Sequence, residues 1–363
     1  MRADPLTRSR RLVSHGLARG ASEPTVTAVV ERLGAVQAQD LAAAKWVLGA
    51  RAPGSTVADV DAALNAARIM RSWLLRGTLH FVAPEELRPI LSLTAEREIA
   101  RSALQHRREG LDGPVFDLAR AVAERELSGG RSLAREALQE RWEAAGIDTG
   151  GQRGYHLIWV LAFHGVLAPG PVDGRVQRFV LLDEWLPPRP VPERDEVLGR
   201  LFARYIGGHG PATVRDFAWW SGLTLGDARR ALAVAADEVE AVGADAAGEA
   251  RYASAGLEAP ARPSGAHALA AFDEYFIGYG DRVPVCEPRH LDRVVPGRNG
   301  VFQPTLVDRG RVVGLWKRAP KGDGVLLDFF DAADAASAPR FARSLRAWAR
   351  FAGRGEPEIE VRA

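Results

Sequence analysis

Apolar positions at helical spacing alternate with short β-rich runs along most of this chain, and the alternation repeats three times. In the first stretch the period predicts helices near 6–18, 24–34, 41–50 and 57–66. Ser22 and Pro24 supply start signals for the second of these, and Thr56 with Asp59 makes a capping-box-like start for the fourth. The runs "RIMRSWLL" and "GTLHFVA" flank Arg76-Gly77 and read as a hairpin. Helices followed by a hairpin is the order of a winged helix. Between the second and third helices lies "VQAQD", where Gln37 and Gln39 stand one residue apart.

Pro84, Glu85 and Glu86 open a long helix to about His106, and a second stretch begins. Helices are expected near 114–127, near 133–145 with Ser132 as cap, and near 152–165, before the hairpin "GVLAPGPVDGRVQRFVLL". The Pro-rich segment 185–196 cannot continue a helix and reads as a connector. The third stretch has a helix near 194–207, a helix started by Pro211 and running to Trp220, a turn at Ser221-Gly222-Leu223, and a helix capped by Thr224 with Asp227. Two short helices around a Gly-containing turn make a helix-turn-helix signature. "EVEAVGADAAGEARYAS" supplies its hairpin.

From about residue 257 aromatic and β-branched runs are split by Gly and Asp, "VDRGRVV" reads as a tight hairpin, and a helix near 335–352 precedes a last strand, "EIEVR". The expected fold class is α+β, mainly helical, with tandem winged helix-turn-helix units and a β-rich C-terminal domain. The expected boundaries are 1–110, 111–190, 191–256 and 257–363.

Composition narrows the class. At 47% hydrophobic and 26% charged this is an ordinary globular chain, with no apolar run of membrane-spanning length. "MRADPLTRSRR" leads into a charged helical pattern rather than a signal-peptide core, so a cytoplasmic protein is expected. Cys286 is the only cysteine, which excludes a disulfide framework and a Cys-based zinc site. No His pair has metal-ligand spacing, and neither a nucleophile elbow nor a Walker loop is present, so no metal or cofactor is expected. The 48 basic and 46 acidic residues nearly cancel, but all basic residues except Lys45, Lys317 and Lys321 are arginine. Arginine suits bidentate phosphate contacts, and a GC-rich genome gives the same bias.

A helix-turn-helix usually docks on DNA through its second helix, which carries Arg229 and Arg230 here. Three unlike copies suggest a clamp, and so a monomer, rather than a dimerising reader of symmetric half-sites. On a helix, residues i and i+2 diverge; in an extended segment Gln37 and Gln39 point to one side. Two converging amides hold a water or bond a base edge without bringing a charge. On residue chemistry alone a solvated loop, where Gln is common, is the simpler reading.

The order of "VQAQD", "RSWLLRGTLHFVAPEEL", "HLIWVLAFHGVL" and "FDEYFIGYGDRVPV…GRNGVFQPTLVDRGRVVGLWKR" resembles the AlkZ-type winged-helix DNA glycosylases, which repair alkylated DNA and occur in clusters that make DNA-alkylating antibiotics. The resemblance covers essentially the whole chain. It implies tandem winged helices around a concave DNA-binding face, and a Gln-x-Gln or Gln-x-Asp catalytic motif carried here by Gln37 and Gln39. An amide at the second position matches the antibiotic-resistance branch. The expected activity is monofunctional hydrolysis of the N-glycosidic bond of N7-alkylated guanine in double-stranded DNA, including bulky or interstrand-crosslink adducts, leaving an abasic site.

Lys45 is the only amine near the motif and is expected to face phosphate or solvent. Arg76 lies at the expected wing tip. Arg282, Arg293, Arg298 and Asn299 surround the "PGRNG" loop as further DNA contacts, unless these turns only close the C-terminal domain. Trp73 and His80 read as wing packing. The alternative function is a non-catalytic winged-helix DNA-binding regulator, which has no use for paired amides.

Overall fold

The computed structural model describes residues 5–174, 176–298 and 300–362. They divide into two compact units, one formed by 1–60 with 198–363 and the other by 61–197. The division falls inside the fourth helix of the first stretch, and the first unit is discontinuous in sequence.

The chain opens with α1 (Pro5–Ser14), α2 (Val26–Leu33), the two-residue strand β1 (Val36–Gln37), α3 (Leu41–Gly49) and α4 (Val57–Asn65). Thr25 caps α2 through its hydroxyl, rather than Ser22. Thr56 and Asp59 make the expected reciprocal contacts at the start of α4, the Thr56 N–H donating to the Asp59 carboxylate at 2.7 Å.

The second unit continues with the antiparallel pair β2 (Met70–Trp73) and β3 (Leu79–Val82) around Arg76-Gly77, as expected. The long helix α5 (Pro84–Arg108) follows, then α6 (Gly113–Leu127), α7 (Arg135–Ala144) and α8 (Arg153–Phe163). The hairpin of β4 (Leu167–Asp173) and β5 (Val176–Leu181) and the short α9 (Leu182–Trp185) complete it. Ser132 does not cap α7. Its hydroxyl accepts from Arg178 Nε at 3.0 Å, and Ala134 occupies the N-cap position. The residues between α9 and the next helix form no regular element.

In the first unit, α10 (Arg194–His209), β6 (Ala212–Thr213), α11 (Val214–Ser221) and α12 (Leu225–Val234) precede β7 (Val239–Ala244) and β8 (Ala250–Ser254). The three strands form a sheet in the order β6-β8-β7. Pro211 does not start α11; Thr213 does, in a capping box with Asp216. Then come β9 (Ala266–Ala268), α13 (Glu274–Ile277), α14 (Leu291–Val294), β10 (Thr305–Asp308), β11 (Arg311–Arg318) and β12 (Val325–Phe329). The chain closes with α15 (Ala332–Ala335), α16 (Ala342–Phe351) and β13 (Ile359–Val361).

The C-terminal strands make one sheet in the order β13-β12-β11-β10-β9, with β13 parallel to β12. The two-residue hairpin turn is Arg309-Gly310, both with positive φ, as a type I′ turn requires. The aromatic run around 272–279 is not a strand: Asp273 caps the one-turn helix α13. Pro339 and the segment before it divide the single helix expected over 335–352 into α15, a 3-10 turn and α16. Beneath this sheet, Leu12, Leu269, Tyr275, Phe276, Val307 and Val312 belong to one buried cluster, which ties α1 to the C-terminal strands.

Candidate active site

The glutamine segment begins where α2 stops. Gly34, with φ of 74°, ends that helix by donating its N–H to the Val30 carbonyl. The chain then runs extended through Val36 and Gln37, and Asp40 caps α3 by accepting from the Ala43 N–H at 3.0 Å. Burial alternates along it. Val36 and Ala38 are buried, Gln37 is half-buried and Gln39 is exposed. Gln37 ends β1 and Gln39 lies in the bend just before α3, so the two amides flank the buried Ala38.

The segment is anchored through its main chain. The Gln37 N–H donates to Glu274 Oε1 at 2.8 Å. Glu274 is fully buried, and its other oxygen accepts from Trp220 Nε1 at 3.1 Å and faces His209 Nε2 at 3.4 Å. The neighbouring Asp273 holds Arg51 through two contacts of 2.9 and 2.7 Å, both side chains being buried. Arg51 Nε donates to the His15 carbonyl at 2.8 Å.

The Tyr279 hydroxyl donates to the His209 carbonyl at 2.5 Å, so His15 Nε2, 2.8 Å away, donates to that hydroxyl. Burial, then the nearby His209 and the Arg51 and Arg11 cations, push His15 well below the ordinary imidazole range, which keeps it neutral. Burying so many polar groups is tolerable only because they pair with one another.

"FDEYFIGYGDR" is thus the hub of this layer. Asp273, Glu274, Tyr275 and Tyr279 each bind a different segment of the first unit, and the Gly280 and Asp281 N–H groups donate to Asp216 Oδ1 at 3.0 and 3.1 Å. Sequence reasoning did not assign Glu274 a role. A carboxylate inside an aromatic run was the available signal, since such a group needs a buried partner.

The expected DNA contacts are spread widely. Arg229 and Arg230 are exposed on α12. Arg282 is half-buried; its guanidinium lies 4.7 Å from the ring centroid of Trp219 on α11, which is 37% exposed, and its Nε donates to the Phe276 carbonyl. Arg293 pairs with Asp328 at 2.9 Å and lies over Phe330. Arg298 ends the 3-10 turn Pro296–Arg298, and Asn299 lies outside the described residues.

Lys45 is only 7% exposed on α3, so it does not face solvent as expected. In the second unit Arg76, half-buried, takes a φ of 54° at the hairpin tip. That tip is packed rather than projecting, because the Gly77 carbonyl accepts from Trp159 Nε1 at 3.1 Å. Trp73 and His80 are buried; Trp73 Nε1 donates to the Tyr155 hydroxyl and His80 Nδ1 bonds the Thr78 carbonyl, which is packing.

Among the described residues no group of three or more His, Cys, Asp or Glu is placed to hold a metal ion, and no helix is long and apolar enough to cross a membrane. The segment offers two amides, Gln37 at the end of β1 and Gln39 just beyond it, with a buried carboxyl group bonded to the Gln37 main chain.

The chain belongs to a family of DNA glycosylases: the family model described as "DNA glycosylase AlkZ-like" matches residues 30–351. A relative from Streptomyces sahachiroi, named "Interstrand DNA cross-link repair glycosylase", is 30% identical over 318 residues, which are 82% of this chain and 83% of that protein. The solved structure of Streptomyces sahachiroi DNA glycosylase AlkZ matches at a TM-score of 0.84 and 26% identity, over 100% of both chains.

Proposed function

We propose that this protein hydrolyses the N-glycosidic bond of N7-alkylated guanine in double-stranded DNA, interstrand-crosslink adducts included, and leaves an abasic site. The observation that carries this reading is that Gln37, half-buried, and Gln39, exposed, stand one residue apart in a segment anchored through the Gln37 N–H. Family membership and the crosslink-repair name of the Streptomyces relative support it.

A guanine alkylated at N7 carries a formal positive charge, so it departs as a neutral base and needs no proton from the enzyme. What remains is to hold a water on the far face of an oxocarbenium-like sugar. General-base assistance normally contributes ~10²–10⁴-fold, and a cationic leaving group relaxes that demand. Neutral amides then suffice: their carbonyl oxygens accept from the water and their NH₂ groups donate to it. Damaged bases are usually flipped out of the stack. A crosslinked base is tethered to both strands, so an open approach suits it better than a closed pocket.

The element orders α6-α7-α8-β4-β5 and α10-β6-α11-α12-β7-β8 support tandem winged helices as the DNA-binding scaffold. The exposed Arg229 and Arg230 on α12 are the first candidates for phosphate contacts, with Arg76, Arg282, Arg293, Arg298 and Asn299 as further ones. A lyase route needs an amine nucleophile, and the one amine near the motif, Lys45, is buried. We therefore assign simple hydrolysis, and the unlike helix-turn-helix stretches of one chain fit a monomer.

The test is incubation with a duplex carrying a single 7-methylguanine, with and without borohydride, followed by heat or alkali. An intact abasic strand that breaks only on heating, with no trapped protein–DNA adduct, is the expected result. Binding without excision would instead identify a DNA-binding regulator. A trapped adduct that vanishes in Lys45→Ala would replace hydrolysis with an imine mechanism.

A further inference from the structure

We infer that Glu274 is a positioning residue for base excision: its buried carboxyl group fixes the main chain of Gln37 and thereby the direction of both glutamine amides. The inference rests on the reading of Gln37 and Gln39 as the groups that hold water.

The Gln37 N–H finds its partner in a side chain 237 residues away, at 2.8 Å. Glu274 is itself locked. Trp220 Nε1 donates to its second oxygen at 3.1 Å, and His209 Nε2 lies 3.4 Å from that same oxygen. His209 donates Nδ1–H to the Tyr205 carbonyl at 3.1 Å and stacks on the Tyr205 ring with centroids 4.7 Å apart, so its Nε2 is held toward Glu274. The Trp220 ring packs on the same tyrosine at 4.9 Å. All four side chains are buried with at most 1% exposure. A rigid aromatic box therefore holds the carboxyl group, and the carboxyl group holds the strand.

The residue type is specific to the task. A carboxyl group places an acceptor on each side, toward Gln37 N–H and toward Trp220 Nε1–H. A carboxamide has one oxygen and one NH₂. In Glu274→Gln either orientation sets NH₂ against an N–H donor, so the strand or the indole must move. Small displacements of this kind are costly in rate: about 1 Å of misplacement can cost ~10²-fold. Removing the indole donor resolves the conflict. In Glu274→Gln/Trp220→Phe the amide oxygen accepts from Gln37 N–H and the NH₂ donates to His209 Nε2.

The experiment is a double-mutant cycle. Single-turnover excision at saturating 7-methylguanine duplex, DNA affinity and thermal melting are measured for wild type, Glu274→Gln, Trp220→Phe and the double variant. We expect Glu274→Gln to lower the excision rate by up to ~10²-fold with unchanged DNA affinity. In the Trp220→Phe background the same change should cost little. No loss in the wild-type background, or an equal loss in both, overturns the inference. If Glu274→Gln alone does not fold, the double variant is compared with Trp220→Phe: equal rates support the inference and a slower double variant overturns it. Gln37→Ala and Gln39→Ala run alongside. If these excise at the wild-type rate, the reading of the glutamines is what fails; if they are inactive while Glu274→Gln is not, only the positioning role is lost.

Discussion

Gln37 and Gln39 bring no charge to the segment ahead of α3, and a leaving group that is already cationic makes that sufficient on the proposed mechanism. Gln39→Asp then installs a better base at the exposed position. Excision of 7-methylguanine by this variant should stay within about tenfold of wild type in single-turnover assays, since base assistance adds little to a cationic leaving group. Complete inactivity would mean that the amide's NH₂ is indispensable. His15 gives a second prediction. Its folded-state pKa is lowered, so below the ordinary value of 6.5 the unfolded chain takes up a proton that the folded chain refuses. Its contribution to stability is full above that value and is lost as pH falls below it. Melting temperature should drop between pH 7.5 and 5.5, and His15→Gln, which keeps a donor for Tyr279, should flatten the drop. An unchanged slope would remove His15 as its source. The glutamine pair stood out in sequence because two amides one residue apart at a helix joint make a local pattern. Glu274 was not, because its partner is distant in sequence and only the fold brings them together.

Elements whose ends are set by adjacent residues were the most readable. Thr56 with Asp59, Thr224 with Asp227 and the Arg309-Gly310 turn all stand where local chemistry put them. The failures are those where a tertiary partner outbid the local one. Ser132 gives its hydroxyl to Arg178 rather than to α7, and the aromatic run near 275 forms a turn of helix because Asp273 both caps it and receives Arg51. Asp216 shows how one side chain serves both levels. Its Oδ2 accepts from the Thr213 N–H at 3.0 Å within the capping box of α11, while its Oδ1 accepts from Gly280 and Asp281. Asp216→Asn keeps only one of these faces supplied with an acceptor. It should destabilise the protein by about 1–3 kcal/mol, measured by urea denaturation. A change below ~0.5 kcal/mol, the ordinary range for surface substitutions, would show that the paired faces are not both required.

At the scale of the molecule, the discontinuous unit of 1–60 with 198–363 could not be read from the chain, because a division of this kind depends on contacts between distant segments. Net charge is also a poor guide here. It is +2, yet many arginines are committed to carboxylates, among them Arg51 to Asp273, Arg311 to Asp334 and Arg340 to Asp308. DNA affinity must then come from the remaining arginines, such as the exposed Arg229 and Arg230. Binding to undamaged duplex should fall steeply with salt, on the order of 10³-fold between about 50 and 200 mM for six phosphate contacts. Arg229→Ala/Arg230→Ala should lower both the affinity and the salt slope. A flat salt response would remove the DNA-clamp reading.

The most direct test of the central claim is the single-turnover excision rate of 7-methylguanine by Gln37→Ala/Gln39→Ala, with folding and duplex affinity checked on the same preparation. With no amides left to hold the water, the rate should fall by at least ~10²-fold while melting temperature and affinity stay at wild-type values. Excision at the wild-type rate would contradict the assignment of Gln37 and Gln39 as the groups that carry the reaction.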